Sequence, residues 1–148
     1  MAVRAAHLSI LSVAATVDRL YAIAVLSAAA SADGLQVDVL LDGGTVLAAR
    51  RPSTSYLLPV SPDYASAGTV AFDRAEDTLR DLLGVGVLPS WTALLAWAAK
   101  NGAVRVRASA DMLHLLGLTL AELDGVVEGV DDVGQFLEEA GDGALLVV

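Results

Sequence analysis

The stretch HLSILSVAATVDRLYAIAVLSAAASADGLQVDVLLD, residues 7–42, decides the fold. Its first segment, HLSILSVAA (7–15), is a short apolar run of the kind that forms a buried strand. Residues 17–32 predict a helix, for which Thr16 is suited as the N-terminal cap. LQVDVLLD (35–42) predicts a second strand. A strand, helix, strand order implies a right-handed crossover and a parallel sheet.

The rest of the chain continues this alternation. Further strands are predicted at 103–109 and 144–148, and further helices at 91–102, 119–123 and 131–140. Three prolines predict a long loop at 52–70, and DRAEDTLRDLLGVG predicts a helix at 73–86, so residues 52–88 look like an inserted loop and helix. We therefore expect a single three-layer α/β/α domain over residues 1–148, with a mostly parallel sheet of about five strands.

The predicted helix of residues 17–32 is apolar on more than one face. Its large apolar residues are Leu20, Tyr21, Ile23, Val25 and Leu26. A helix that is apolar nearly all round is usually buried on several sides, and in a small domain the second side is often another subunit. We therefore expect a homo-oligomer.

The N-terminal residues also have features of a secretory signal, with Arg4 before the apolar runs and ASA at 30–32. However, Asp18 and Arg19 interrupt the apolar region and leave uncharged stretches of only 13 residues. A membrane-spanning helix needs ~20. We therefore expect a cytoplasmic protein that does not span a membrane.

The net charge of −9 is unevenly distributed. Residues 1–107 carry nine acidic and nine basic side chains, whereas residues 108–148 carry nine acidic side chains and no Lys or Arg. This distribution argues against a nucleic-acid partner, because phosphates are bound by clustered Lys and Arg. The chain has no cysteine, which excludes disulfides, thiolate ligands and cysteine nucleophiles.

Ser109, Asp111 and His114 follow the predicted strand 103–109 and are candidates for a site. In an open α/β sheet, ligands bind beyond the carboxyl ends of the strands, and residues i and i+3 of a helix can touch. Asp111 and His114 are therefore candidate catalytic residues. The alternative is that Ser109 caps a helix on which the other two are exposed.

Arg105 and Arg107 alternate with apolar residues and should lie on one face of their strand. Two arginines in a parallel strand need partners, because burying an unpaired charge is costly. The partners are either carboxylates of the acidic C-terminal quarter or a bound anion. Both arginines are therefore candidate ligand-binding residues, together with Ser109 and Asp111.

The turn DGGT (42–45) could hold an anion on the amides of Gly43 and Gly44, although it lacks the spacing of a nucleotide-binding motif and also suits a simple turn. His7 and His114 are the only imidazoles, and the acidic residues lack the pattern of a calcium loop. We expect no metal and no cofactor.

The order of these elements resembles the DsrE/DsrF-like sulfur-relay family. The resemblance lies in three parts of the chain. The first is VDRLYAIAVLSAAASADG, followed by a strand and then DGGTVLAARR, and the second is a helix ending AAKNG. The third and clearest is SADMLHLLGL followed by TLAELDGV. Residues 52–88 match the family poorly. The resemblance implies a doubly wound α/β/α domain that assembles as trimers or hexamers and partners sulfur-relay proteins.

The resemblance also implies a persulfide on a cysteine just before the SADM element. That position falls near Val106, and the chain contains no cysteine, so sulfurtransferase activity is not expected. We expect a non-catalytic binding or assembly subunit, which could bind a small anionic ligand. The alternatives are an enzyme using Asp111 or His114 as acid or base on an anionic substrate held by the arginines, and a purely structural homo-oligomer.

Overall fold

The computed structural model describes residues 6–51, 77–78, 81–82 and 85–148. Within them, five strands form one sheet in which every neighbouring pair is parallel, in the order β4-β3-β2-β1-β5. The strands are His7–Ser12 (β1), Gln36–Leu41 (β2), Val104–Ser109 (β3), Gly129–Asp131 (β4) and Ala144–Val147 (β5). The predicted α/β class and a parallel sheet of about five strands are confirmed.

Helices lie on both faces of this sheet. They are Val17–Ala32 (α1), Gly44–Ala48 (α2), Trp91–Asn101 (α3), Ala110–Leu116 (α4) and Val133–Ala140 (α5), with a 3-10 turn at Leu120–Glu122. Strands β1 to β4 follow one another in a single direction across the sheet, and β5 returns to the far side of β1. Because crossovers are right-handed, this reversal places α5 on the face opposite α1 and α3. The layers are therefore α/β/α.

Most helix starts follow the expected capping chemistry. Ser90 and Ser109 accept hydrogen bonds from Ala93 N and Met112 N, at 3.1 and 3.4 Å. Thr119 and Glu122 form the predicted capping box. Thr16 precedes α1, but its hydroxyl makes no capping bond, so that prediction was wrong in its detail.

The two edge strands of the described sheet compare differently with the sequence-based prediction. The three-residue β4 was not predicted, whereas the predicted strand 144–148 is confirmed as β5. The predicted loop 52–70 lies outside the described residues. Of the predicted helix 73–86, residues 77–78 and 81–82 are helical.

The main core fills the face of the sheet that α1 and α3 cover. Paired residues of neighbouring parallel strands point to the same face, which here brings together Ile10, Val39 and Val106. Ile23 of α1 and Leu95 of α3 pack against this face and are fully buried. Among the described residues, no helix has the length and hydropathy to cross a membrane.

Candidate functional site

The opposite face of the sheet carries charges. The register pairs Asp38 of β2 with Arg105 of β3, so both side chains point away from the apolar core. Arg107 lies two residues further along the same face. The prediction that both arginines share one face, with Val104 and Val106 on the other, is confirmed.

Asp38 is the centre of this charged face, with its side chain only 3% exposed. Its Oδ1 accepts a hydrogen bond from Arg105 Nε at 2.6 Å, and its Oδ2 lies 2.5 Å from His7 Nε2. Gln36 Nε2 donates to the same Oδ2 at 3.3 Å. Burial alone would raise the pKa of Asp38, but the hydrogen bonds and positive charge of Arg105 and His7 outweigh it and lower the pKa below its ordinary value. Asp38 is therefore a buried carboxylate that stays ionised.

Arg107 connects this carboxylate to helix α5. Its Nη1 lies 2.5 Å from Asp131 Oδ2, and its Nη2 donates to Glu139 Oε2 at 3.1 Å. The Phe136 ring centre is 6.0 Å from its guanidinium carbon. The hydrogen bond from Arg107 lowers the pKa of Glu139. The prediction that the arginines pair with the acidic C-terminal quarter is therefore confirmed for Arg107, whereas Arg105 pairs with Asp38 of β2.

An open cavity of 580 Å³ lies beside these ion pairs, at the amino ends of β1, β2 and β3 and therefore at the opposite edge of the sheet from the carboxyl ends where a ligand was expected. Among the described helices, the eight-residue α5 lies on this face, and its last residue, Ala140, lines the cavity. Arg105 is 48% exposed here, and among the described residues only its Nε makes a hydrogen bond. The lining residues are Ala6, His7, Gln36, Asp38, Arg105, Glu139, Ala140, Asp142 and Gly143.

Ser109, Asp111 and His114 lie at the other end of β3 and on α4. Ser109 is buried and caps α4 through Met112 N. Asp111 and His114 are exposed, and neither side chain makes a hydrogen bond or an ion pair within the described part of the chain. None of the three lines the cavity that Arg105 enters. The structure therefore does not place the predicted acid–base residues in the cavity with this arginine.

Gly43 and Gly44 form a tight turn against the loop after β1. Gly43 has φ +51°, and a Cβ there would lie 3.0 Å from Val13 O. Thr45 closes the turn, because its hydroxyl donates to the carbonyl oxygens of Ser12 and Asp42 at 2.9 and 2.7 Å. The approach of the Val13 carbonyl oxygen accounts for Gly43, and a Cβ at Gly44 would lie 3.1 Å from the Cβ of Ala15.

His7, Asp38 and Glu139 were not among the predicted site residues. One signal pointed to Asp38: it is the single acid in the apolar strand QVDVLL, and a buried acid needs a cationic partner. Within the described residues, no group of three or more His, Asp or Glu side chains is arranged to hold a metal ion.

No protein family model matches the chain, and no curated protein matches it in sequence. The fold does match a solved structure, that of the protein of unknown function MTH1491 from Methanobacterium thermoautotrophicum. The TM-score is 0.63 with 14% identity, over 97% of this chain and 99% of that chain. At this identity the likeness supports the α/β fold alone.

Proposed function

We propose that the protein is a non-catalytic, DsrE-like cytoplasmic subunit that binds a small polar molecule in the cavity beside Asp38. The DsrE-like part rests on the sequence resemblance. The absence of cysteine argues against persulfide chemistry, because no other side chain supplies a thiolate.

The observation that carries the proposal is the cavity with a buried, ionised carboxylate in its wall. Its 580 Å³ falls within the range of small-molecule sites, ~300–1,000 Å³. Asp38 holds both His7 and Arg105 by short contacts, which fixes the polar groups that a ligand would meet. Preorganised polar groups in a concave site are typical of ligand binding.

The test is a screen of small polar fragments by amide chemical-shift mapping on the full chain. Binding in the cavity should shift the amide signals of His7, Gln36 and Gly143. The variant Arg105→Gln should weaken the bound fragments. Arg50→Gln is the matched control, because Arg50 is an exposed arginine outside the cavity, 3.9 Å from Glu122. Shifts that cluster on α4, or no shifts at the cavity, would contradict the proposal.

The enzyme alternative is less well supported. It requires Asp111 or His114 to act on a substrate held by Arg105 and Arg107. Both candidate acid–base groups are exposed on α4 and do not line the cavity, whereas both arginines are engaged in ion pairs on the α5 face. We therefore favour binding over catalysis.

A second candidate function is assembly with copies of the same chain. The observation that favours it is the exposed, apolar edge strand β5. Leu145, Leu146 and Val147 are 45%, 37% and 58% exposed. Val148 bonds through its N–H and C=O to Leu11 and Val13 next to it. Since alternate residues direct their backbone groups to opposite sides, Leu145 and Val147 direct theirs to the side of β5 where no described strand pairs. An apolar edge without Lys or Pro is suited to pairing with another strand.

A second copy fits this edge, because an antiparallel β5–β5 pair about a twofold axis places Leu146 opposite its own counterpart. A separate apolar surface lies on α1 and α3, where Val25 and Trp97 are 59% and 61% exposed beside a hollow of 140 Å³. Two distinct apolar surfaces suit a hexamer, the larger of the two assemblies that the DsrE resemblance implies. Sulfur-relay proteins are the hetero-partners that the same resemblance suggests.

Sedimentation equilibrium tests the assembly. Val147→Pro removes the outward N–H while leaving the bonds of Val148 to β1, and should therefore split the assembly at the twofold contact. Val147→Ala, which keeps the N–H, should assemble like the wild type. Trp97→Lys should weaken the contact made by the helices. A wild-type monomer at micromolar concentration would contradict the assembly proposal.

A further inference from the structure

We propose that the cavity beside Asp38 takes up a small anion together with a proton, the anion on Arg105 and the proton on His7. This inference rests on the proposed binding function and assigns its ligand class. It adds to the anion expected from the sequence a residue that sequence analysis missed, and it makes the affinity depend on pH.

Arg105 provides the donors for the anion. Its Nε donates to Asp38 at 2.6 Å, and its two terminal nitrogens make no hydrogen bond with any described residue. The side chain is about half exposed in the cavity, so an anion can reach these nitrogens without breaking the Asp38 pair. A guanidinium group binds a small oxyanion through two parallel N–H donors, and the bond to Asp38 holds its plane in place.

His7 provides the site for the proton. It lines the cavity, and its Nε2 lies 2.5 Å from Oδ2 of Asp38. An ionised carboxylate accepts hydrogen bonds and has none to donate, so Nε2 carries a hydrogen and an added proton binds at the other ring nitrogen, Nδ1. Nδ1 makes no hydrogen bond with any described residue. A protonated His7 is therefore a cation held by the same carboxylate that holds Arg105.

The charges around His7 explain why the two binding events are coupled. One connected cluster of ion pairs lies beside it on the charged face and consists of Asp38, Arg105, Arg107, Asp131 and Glu139. With a neutral His7, two cations face three carboxylates. An anion added to this cluster would increase the excess of negative charge, whereas a proton on His7 offsets it. Anion binding should therefore be stronger when His7 is protonated.

The groups that face His7 from the neighbouring elements support this coupling. Burial would raise the pKa of Asp38, but the hydrogen bonds of Arg105 and His7 lower it, and the hydrogen bond from Arg107 lowers the pKa of Glu139 on α5. Both carboxylates therefore stay ionised near neutral pH. Gln36 is uncharged, and Asp142, in the turn before β5, has an interaction of its own. A histidine side chain ordinarily changes charge between about pH 5 and 8, so a pH change in that range addresses His7.

Ethanesulfonate tests the inference, because it remains an anion throughout this range, and ethyl methyl sulfone is an uncharged analogue of similar shape. The full chain is titrated with each probe at about pH 8 and about pH 5.5, in a buffer free of other small anions, and followed by the amide shifts of the cavity residues. We expect ethanesulfonate to bind at least about fivefold more tightly at the lower pH, and the sulfone to show no such difference. Equal affinities of ethanesulfonate at both pH values would overturn the inference.

Variants separate His7 from general effects of pH. His7→Gln keeps an N–H donor for Asp38 but cannot take up the proton, so its affinity for ethanesulfonate should be the same at both pH values. His114→Gln is the matched control and should keep the wild-type dependence, because His114 is exposed on α4 and lies outside the lining. Arg105→Gln should weaken ethanesulfonate at both pH values. A pH dependence that survives in His7→Gln would contradict the role of His7.

The coupling is reciprocal, so it can also be measured in the wild type if His7→Gln does not fold. At about pH 7, ethanesulfonate should move the ring signals of His7 toward those of the protonated form and leave the ring signals of His114 unchanged. Bound ethanesulfonate without any movement of the His7 signals would show that no proton accompanies the anion.

The two proposals fail differently. If other fragments shift the cavity amides and ethanesulfonate does not, or if it binds equally at both pH values, this inference is wrong and the binding function stands. If neither ethanesulfonate nor any fragment shifts these amides, the proposed binding function itself is wrong.

Discussion

The two faces of the sheet are built from the same strands, β1, β2 and β3, but carry opposite kinds of side chain. Beneath α1 and α3, residues such as Val39 and Val106 are fully buried and need only shape to pack. Beneath α5, the alternate residues Asp38, Arg105 and Arg107 are charged and pair with one another and with α5. The apolar face is closed, while the charged face keeps a cavity open. The core that stabilises the fold and the cavity proposed to bind a ligand therefore lie on opposite faces.

The largest predicted effect lies on the apolar face. Ile23 of α1 is fully buried in the core. Ile23→Ala should lower the free energy of unfolding by about 3–4 kcal/mol, because it leaves a cavity in a closed layer. Chemical denaturation measures this change. Ile23→Val, which removes one methyl group, should cost about 1 kcal/mol. Similar small losses for both variants would mean that the core can collapse around the gap.

Removing the charge of Asp38, at the centre of the charged face, should lower the free energy of unfolding by less than Ile23→Ala does. Asp38→Asn should lower the free energy of unfolding by about 2–3 kcal/mol, below the loss for a fully buried pair because Arg105 is half exposed. Asp33→Asn is the control, since Asp33 is an exposed acid at the end of α1 and should change stability by less than about 0.5 kcal/mol.

The contribution of Asp38 to the free energy of unfolding should decrease as the pH falls. The folded-state pKa of Asp38 lies below its ordinary value. Its stabilisation is therefore complete above the ordinary pKa of ~3.9 and is lost as the pH falls through the folded-state pKa. The stability gap between wild type and Asp38→Asn should stay wide near neutral pH and close below about pH 4. A gap that persists in acid would show that Asp38 acts by shape and not by charge.

Much of the fold could be predicted because its signals are local. The apolar runs of β1 and β2, the capping serines and the glycine turn each act within a few residues. The strand β4 could not be predicted in the same way, since Gly129–Asp131 is too short to show alternation.

The candidate site could be predicted only in part. Alternation in VRVRAS correctly indicated two arginines on one face. The partners of Arg105 depend on the register between strands, which brings His7 to Asp38 across 31 residues and Arg105 to Asp38 across 67. Local sequence patterns do not specify that register, so His7 and Asp38 were missed.

A smaller effect is expected at the start of α4, where Ser109 ends β3 and caps the helix. Ser109→Ala should lower the free energy of unfolding by about 1 kcal/mol, because it removes the hydroxyl that accepts from Met112 N. Ser109→Asp keeps an acceptor but buries a charge beside its register partner Asp131, and should therefore lower the stability further. Thermal unfolding measures both. An unchanged melting temperature in Ser109→Ala would indicate that the 3.4 Å bond contributes little.

The smallest effects should come from Asp111 and His114, which sequence analysis first singled out. Both are exposed on α4 without a side-chain partner among the described residues. Asp111→Asn and His114→Ala should each change the free energy of unfolding by less than about 0.5 kcal/mol. For His114→Ala this includes the loss of any favourable interaction between a basic side chain in the last turn and the carboxyl end of α4. They should also leave fragment binding at the cavity unchanged, whereas His7→Ala should weaken it, since His7 lines the cavity. Loss of binding in His114→Ala with normal binding in His7→Ala would move the functional centre to the carboxyl end of β3, where the enzyme alternative places it.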